Sequence, residues 1–310
     1  MHAEQLPLFP TLRPLEPTAP FSAALRLYQQ HLRREGFTEN TIKSFVSDIR
    51  LLAHYLGIGQ PVGAVSTRDL NNFLQWLQHG RGVPCSPKSY ARRVTALKSF
   101  FKWLTEVKVL ESDPAAAIIQ YSVSSPLPEI LTDAEVRRIL AVTERRRKAE
   151  KPDARPELVI TLVLQTGIKK SECMAIVPNH IDTSDPQHPF LYVRYTNPRQ
   201  RHKERKLPLD PQWIEVLQEY LEQYQPRRKL FECTARNLEY ILTDVAEEAR
   251  LAKHLSFEML RWTSAVRDYM AKMPPDQLRQ KLGLSKISWR ENGEKIARLA
   301  ASLEAAEAKR

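Results

Sequence analysis

Between Thr38 and Gly57 the apolar residues Ile42, Phe45, Val46, Ile49, Leu52 and Leu56 recur at intervals of three and four. That spacing lines one face of an α-helix and cannot be met by a strand, whose side chains alternate between two faces. Thr38 stands where an N-cap is needed, and Gly57 closes the run. The device repeats along the chain. Residues 21–35 carry an earlier helix, Ser66 with Asp69 three positions on opens a third bearing Leu70, Phe73, Leu74 and Leu77, and Ser86-Pro87 opens a fourth with Tyr90, Val94, Leu97, Phe101 and Leu104 inside. Each apolar stripe needs a partner, so four such helices on short connections predict a small bundle over residues 21–117.

Proline limits that bundle. Pro7, Pro10, Pro14, Pro17 and Pro20 deny residues 1–20 a continuous helix and predict an extended arm, while Asp113-Pro114 ends the last helix. Residues 118–130 read as a linker, with Ser122, Ser124, Ser125, Pro126 and Pro128 crowded into it. A second domain is predicted over residues 131–293. Thr132 and Glu135 form a capping box before Val136, Ile139 and Leu140, and a further helix carries Leu158, Ile160, Leu162, Val163 and Leu164. Between Pro189 and Leu209 the period shortens to that of strands, at residues 190–195 and 206–209, joined by a basic turn from Asn197 to Lys203. Helices resume at Trp213, Leu238, Phe257 and Gln277. The tail, residues 294–310, is a helix with Ile296, Leu299 and Leu303 on one side, fit to dock on its own body or on a neighbour.

With 310 residues and 42% apolar content, the chain can build two separate cores, which excludes disorder throughout. The net charge of +11 favours a polyanionic partner, because clustered Lys and Arg release condensed counterions from phosphates; an anionic membrane surface would satisfy the charge alone. No stretch approaches the ~20 apolar residues that span a bilayer, and the N-terminus lacks the basic and apolar regions of a secretion signal. A soluble, cytoplasmic protein with no membrane partner is therefore expected. Cys85, Cys173 and Cys233 form no CxxC pair, and the histidines show no HxxxH or HExxH spacing, so reduced, mostly buried thiols, no metal site and no cofactor are expected.

Four stretches then fall in a telling order: Thr166-Gly167-Ile168-Lys169-Lys170-Ser171-Glu172 after an apolar helix, Pro198 to Leu209 across the basic turn, Glu258-Met259-Leu260-Arg261-Trp262-Thr263, and Leu282-Gly283-Leu284. Their order and that of the predicted elements resemble the tyrosine recombinase (phage integrase) family of the Xer type, over roughly residues 21–295. The resemblance implies a mainly α fold: an N-terminal four-helix core-binding (SAM-like) bundle, then a mostly helical recombinase-type domain with a small β-sheet. It also implies a set of catalytic positions, from which this chain departs. The family's first arginine is Lys169 here, its strand-turn lysine is Gln200, the two histidines of the second signature are Glu258 and Trp262, that of the third is Leu284, and the nucleophilic tyrosine falls on Gly293. Arg261 alone is kept, and no tyrosine follows Tyr269.

Each change has a chemical consequence. Lysine keeps phosphate affinity but loses the planar two-pronged grip of a guanidinium. Gln200 cannot protonate a leaving hydroxyl; a one-residue shift puts Arg199 or Arg201 there, and an always-charged arginine is a poor proton donor. A carboxylate at 258 repels a phosphate unless it pairs with Arg261 or Lys169. Loss of the tyrosine removes the covalent route altogether. Ser285 and Ser288 are the hydroxyls nearest the vacant position, without a base beside them in sequence.

The DNA-binding side is better kept. The second helix exposes Lys43 and Arg50, the fourth carries Lys88, Arg92, Arg93 and Lys98, and the second domain offers Lys169, Arg199, Arg201, Lys203, Arg205 and Arg261. The leading expectation is a recombinase-like protein, no longer an enzyme, that clamps duplex DNA between two domains. Its rivals are a working recombinase or integrase with a non-standard nucleophile, and a partner of itself or of an active recombinase through the C-terminal helix.

Overall fold

A computed structural model of the chain describes residues 15–119 and 126–307; most of the proline-rich arm and the serine-rich part of the linker lie outside the described residues. The chain divides into two compact units, Met1–Ser125 and Pro126–Arg310.

The first unit is built from α1 (Phe21–Arg34), α2 (Glu39–Leu56), α3 (Thr67–His79) and α4 (Pro87–Glu106). The last three start where their caps stand in the sequence. The Thr38 hydroxyl accepts from the Thr41 amide at 3.2 Å, Ser66 and Asp69 cap one another's backbone, and Ser86 accepts from the Ser89 amide at 3.2 Å. Gly57 leaves α2 at φ +103°, a conformation that costs a residue with a Cβ. Tyr28, Phe73, Phe100 and Phe101 fill the centre, and the buried Tyr28 hydroxyl is satisfied by Ser99 at 2.7 Å. The chain enters α1 along a short seam: Val62 N–H donates to the Ala19 carbonyl (3.0 Å) and Gly63 N–H to that of Pro17 (2.8 Å).

The second unit follows with α5 (Asp133–Arg147), α6 (Arg155–Thr166), the single turn α7 (Lys170–Cys173), β1 (Ile181–Asp182), β2 (Phe190–Val193) and β3 (Arg205–Pro208). Then come α8 (Pro211–Tyr224), α9 (Ala235–Glu248), α10 (Phe257–Met270), α11 (Pro275–Lys281) and α12 (Lys286–Glu307). The three strands form an antiparallel sheet in the order β1-β2-β3, with Leu191 opposite Leu207, both buried. A mainly α architecture with one small sheet is what the periodicities imply.

Some details differ from the sequence reading. The two-residue β1 is too short to leave an alternating pattern. The basic turn is a 3-10 helix, Pro198–Lys203, started by the Asn197 side chain accepting from the Arg199 amide at 3.0 Å. Cys173 is buried, whereas Cys85 and Cys233 are half-buried. The last helix begins earlier than residue 294, and Gly293 lies inside the continuous α12. That helix opens at Ser285, whose hydroxyl accepts from the Ser288 amide at 3.1 Å, so these serines serve as a cap. Ile296, Leu299 and Ala300 of α12 are buried with Val266, Leu278 and Leu282 of the same chain.

Candidate functional site

Helix α6 ends at Gly167, whose left-handed φ of +60° turns the chain sharply into Ile168 and Lys169. A Cβ there would fall 2.9 Å from Leu282 Cδ2, so the turn requires glycine on grounds of both backbone and space. The turn presents two groups. The Lys169 amide donates to Glu172 at 2.8 Å, and its ammonium stands 3.9 Å from the same carboxylate. Burial lowers the Lys169 pKa, Glu172 opposes that, and the neighbouring Arg261, Lys203 and Arg205 add to the lowering.

Glu172 is the hub of the site. Its side chain is 1% exposed and takes both prongs of Arg205, at 2.9 and 3.1 Å, together with the Tyr195 hydroxyl. Burial pushes the carboxyl up, but Arg205, the Lys169 amide and Tyr195 more than cancel it and hold it down to about 2. Tyr195 is pushed the other way, up to about 12, by burial and by the carboxylate it faces. Arg205 Nε donates to the Lys281 carbonyl at 2.7 Å, and Gly283, at φ +59°, leaves room where a Cβ would lie 2.7 Å from the guanidinium.

Arg261, on α10, ties the same two turns together. Its guanidinium donates to the Gly167 carbonyl and, at 2.6 Å, to the Leu282 carbonyl. Burial lowers it to about 10, which leaves it charged at neutral pH. Next to it opens a cavity of about 540 Å³ whose lining includes Lys169, Glu258, Trp262, Leu284 and Asn292. The structure thus brings Lys169, Glu258, Arg261, Trp262 and Leu284 to one pocket. Gly293 sits beside it on α12, where a Cβ would lie 3.2 Å from the Trp289 ring.

Two expectations change here. Arg205, expected from the sequence to contact DNA, is only 8% exposed and its prongs are held by Glu172. Glu258 forms no ion pair among the described residues; Lys169 pairs with Glu172 instead. Arg199 and Arg201 are exposed on the 3-10 turn, with Gln200 and Lys203 half-buried. Sequence reasoning quoted Glu172 and Gly283 only as parts of motifs and gave Tyr195 no role beyond its strand. The signal for Glu172 was there, an acid three residues into a helix that follows a glycine turn.

In the first unit Lys43, Arg50 and Lys88 are exposed. Arg92 and Arg93 instead converge from α4 on the buried Asp48 of α2, Arg93 at 3.5 Å, and the Arg93 side chain is 12% exposed. Burial raises the Asp48 pKa against the lowering pull of the two arginines. Lys98 reaches the Ala116 carbonyl at 3.2 Å. Half of the basic positions assigned to α4 therefore hold the bundle together.

Among the described residues no group of His, Cys, Asp and Glu could hold a metal, and no helix is long and apolar enough to cross a membrane.

An Arg-containing pocket framed by two glycine turns, a small sheet and a preceding helical bundle defines a recombinase-type fold. Residues 25–108 match the family model "Phage integrase, N-terminal SAM-like domain" and residues 129–290 match "Phage integrase family"; the chain belongs to the phage integrase family. It is 27% identical to a tyrosine recombinase of Thermosipho africanus over 66% of this chain and 68% of that protein. It is 29% identical to the tyrosine recombinase XerC of Mycobacterium leprae, over 58% of this chain and 59% of that one, so the match spans about three fifths of that relative. The fold is similar to that of a lambda integrase dimer bound to a COC′ core site, with a TM-score of 0.66, 16% identity, and coverage of 88% of this chain and 77% of that one.

Proposed function

We propose that this protein is a DNA-binding member of its family that grips duplex DNA between its two units without cutting it, a soluble cytoplasmic protein that acts by occupying or marking a site. The observation that carries this reading is the lining of the Arg261 pocket. Its only hydroxyls among the described residues are Ser171 and Ser256, and Ser256 is engaged in capping α10 by accepting from the Met259 amide at 3.1 Å. Leu284 and Trp262 give the pocket apolar walls where proton-donating imidazoles would serve a cleavage reaction. A phosphate can still be met by Lys169, Arg201 and Lys203 from the second unit and by Lys43, Arg50 and Lys88 from the first.

The test is a titration of fluorescent duplex DNA across a salt series, with one sample on a nicked suicide duplex run on a denaturing gel. About six phosphate contacts would give a log–log salt slope near −5, with no covalent adduct. A protein–DNA adduct overturns the proposal in favour of a working recombinase. Salt-insensitive binding together with a stable protein complex favours a role as a partner of another recombinase.

A further inference from the structure

We infer that the Arg261 pocket takes one guanine nucleotide whole, phosphate and base together, either free in solution or swung out of the gripped duplex. The inference rests on the proposed phosphate grip at Lys169 and Arg261 and adds a seat for the base. A phosphate group alone would leave most of the cavity unfilled. Its volume of about 540 Å³ lies within the ~300–1,000 Å³ of sites that enclose small organic ligands.

Two kinds of wall meet in this cavity. Glu258, Arg261, Trp262 and Ala265 recur at helical spacing, so they line one face of α10 over about 10 Å. Arg261 is charged, and only two of its five N–H groups are engaged by the Gly167 and Leu282 carbonyls. The Lys169 ammonium comes no nearer than 3.9 Å to Glu172, whose carboxylate Arg205 already holds. The other wall is apolar: Trp262, Leu282, Leu284 and Ile296 line the cavity and belong to one packed cluster. Trp262 is half-buried, and among the described residues no ring or cation stacks on it. A flat heterocycle laid on that wall gains both apolar burial and stacking.

Glu258 selects the base. Its carboxylate lines the cavity, is exposed and forms no ion pair among the described residues. A carboxylate beside a phosphate site is a cost unless the ligand itself donates to it. Guanine does so, because its N1–H and N2–H₂ lie side by side and match the two oxygens of one carboxylate, whereas adenine offers one amino group next to a ring acceptor. Asn292 supplies a second acceptor: its Nδ2 donates to the Ser288 carbonyl at 2.6 Å, which leaves its oxygen for a ligand N–H or hydroxyl. A base taken out of a duplex is held in this same manner, by stacking and by hydrogen bonds to its pairing edge.

The experiment titrates the full chain calorimetrically with guanosine monophosphate, adenosine monophosphate and inorganic phosphate, in the parent and in Glu258→Gln. The parent should bind the guanine nucleotide at least about tenfold more tightly than the other two. Glu258→Gln should lose about tenfold toward that nucleotide yet bind phosphate as well or better, since a repelling charge is gone. Because Glu258 is exposed, circular dichroism and the thermal midpoint of the variant should match the parent. The source of the base is read on duplexes in which a fluorescent guanine analogue, quenched by stacking, replaces one guanine at a time. A rise in emission on binding assigns the base to the duplex; nucleotide binding without a rise assigns it to the free pool. Equal affinity for all three probes, no nucleotide binding together with no rise, or a Glu258→Gln variant that binds the guanine nucleotide no more weakly than the parent overturns the inference. Steeply salt-dependent duplex binding in any of those cases leaves the DNA grip standing, whereas guanine nucleotide binding by a protein that does not hold duplex overturns the grip instead.

Discussion

Arg205 and Glu172 meet as a two-pronged ion pair, at 2.9 and 3.1 Å, with side chains only 8% and 1% exposed. The pair joins β3 to the turn after α6, and Arg205 reaches on to the Lys281 carbonyl. Breaking one partner leaves the other charge buried without an answer, which costs about 3–5 kcal/mol. Glu172→Gln should therefore lower the stability of the second unit by that order in urea unfolding, while Arg201→Gln, on the exposed turn, should leave it unchanged.

The same pair sets an acid limit. Glu172 is held down to about 2 from an ordinary 4.5, so its contribution is present above about 4.5 and is lost as pH falls toward 2. That amounts to about 3 kcal/mol across the window. Unfolding midpoints measured from pH 6 to pH 2.5 should fall more steeply in the parent than in Glu172→Gln. Parallel curves would show that the carboxylate is not held by Arg205.

Arg261 has a structural task besides any phosphate contact, since it donates to the carbonyls of Gly167 and Leu282. Arg261→Met should cost about 2–4 kcal/mol, because two buried acceptors lose a charged donor. A residue kept for phosphate alone would show weaker DNA binding and an unchanged midpoint, so the two readouts separate the roles.

Gly167→Ala tests the turn itself. The left-handed backbone penalises any Cβ by about 1–2 kcal/mol, and the new atom would press on Leu282 at 2.9 Å. The expected result is a lower unfolding midpoint for the second unit with no change in its helix content by circular dichroism. A neutral or stabilising outcome would mean that the turn relaxes.

Several helices were legible because they carry both a stripe and a cap: Thr38, Ser66, Ser86 and Thr132 all stand where the structure starts a helix. The pocket positions were legible only through the resemblance to the family's motifs, and Lys169, Arg261 and Leu284 do converge. What stayed hidden was pairing. Nothing in sequence distinguishes Arg205, buried on Glu172, from Arg201, exposed on the preceding turn, because burial of a long basic side chain depends on a carboxylate 33 positions away. The pairing of Arg93 was hidden for the same reason, its partner Asp48 lying on another helix.

The tail helix gives the last test. If α12 were an arm held out for a neighbour, a charge on its apolar stripe would break an assembly and leave the second unit folded. The structure buries Ile296 completely among Leu278, Leu282 and Val266 of its own chain, so Ile296→Asp would place an unpaired carboxylate in a core. The expected effect is a loss of at least about 3 kcal/mol, seen as a lower thermal midpoint that is the same at low and high protein concentration. A midpoint that depends on concentration in the parent, and loses that dependence in the variant, would instead place the partner of this stripe on a second molecule.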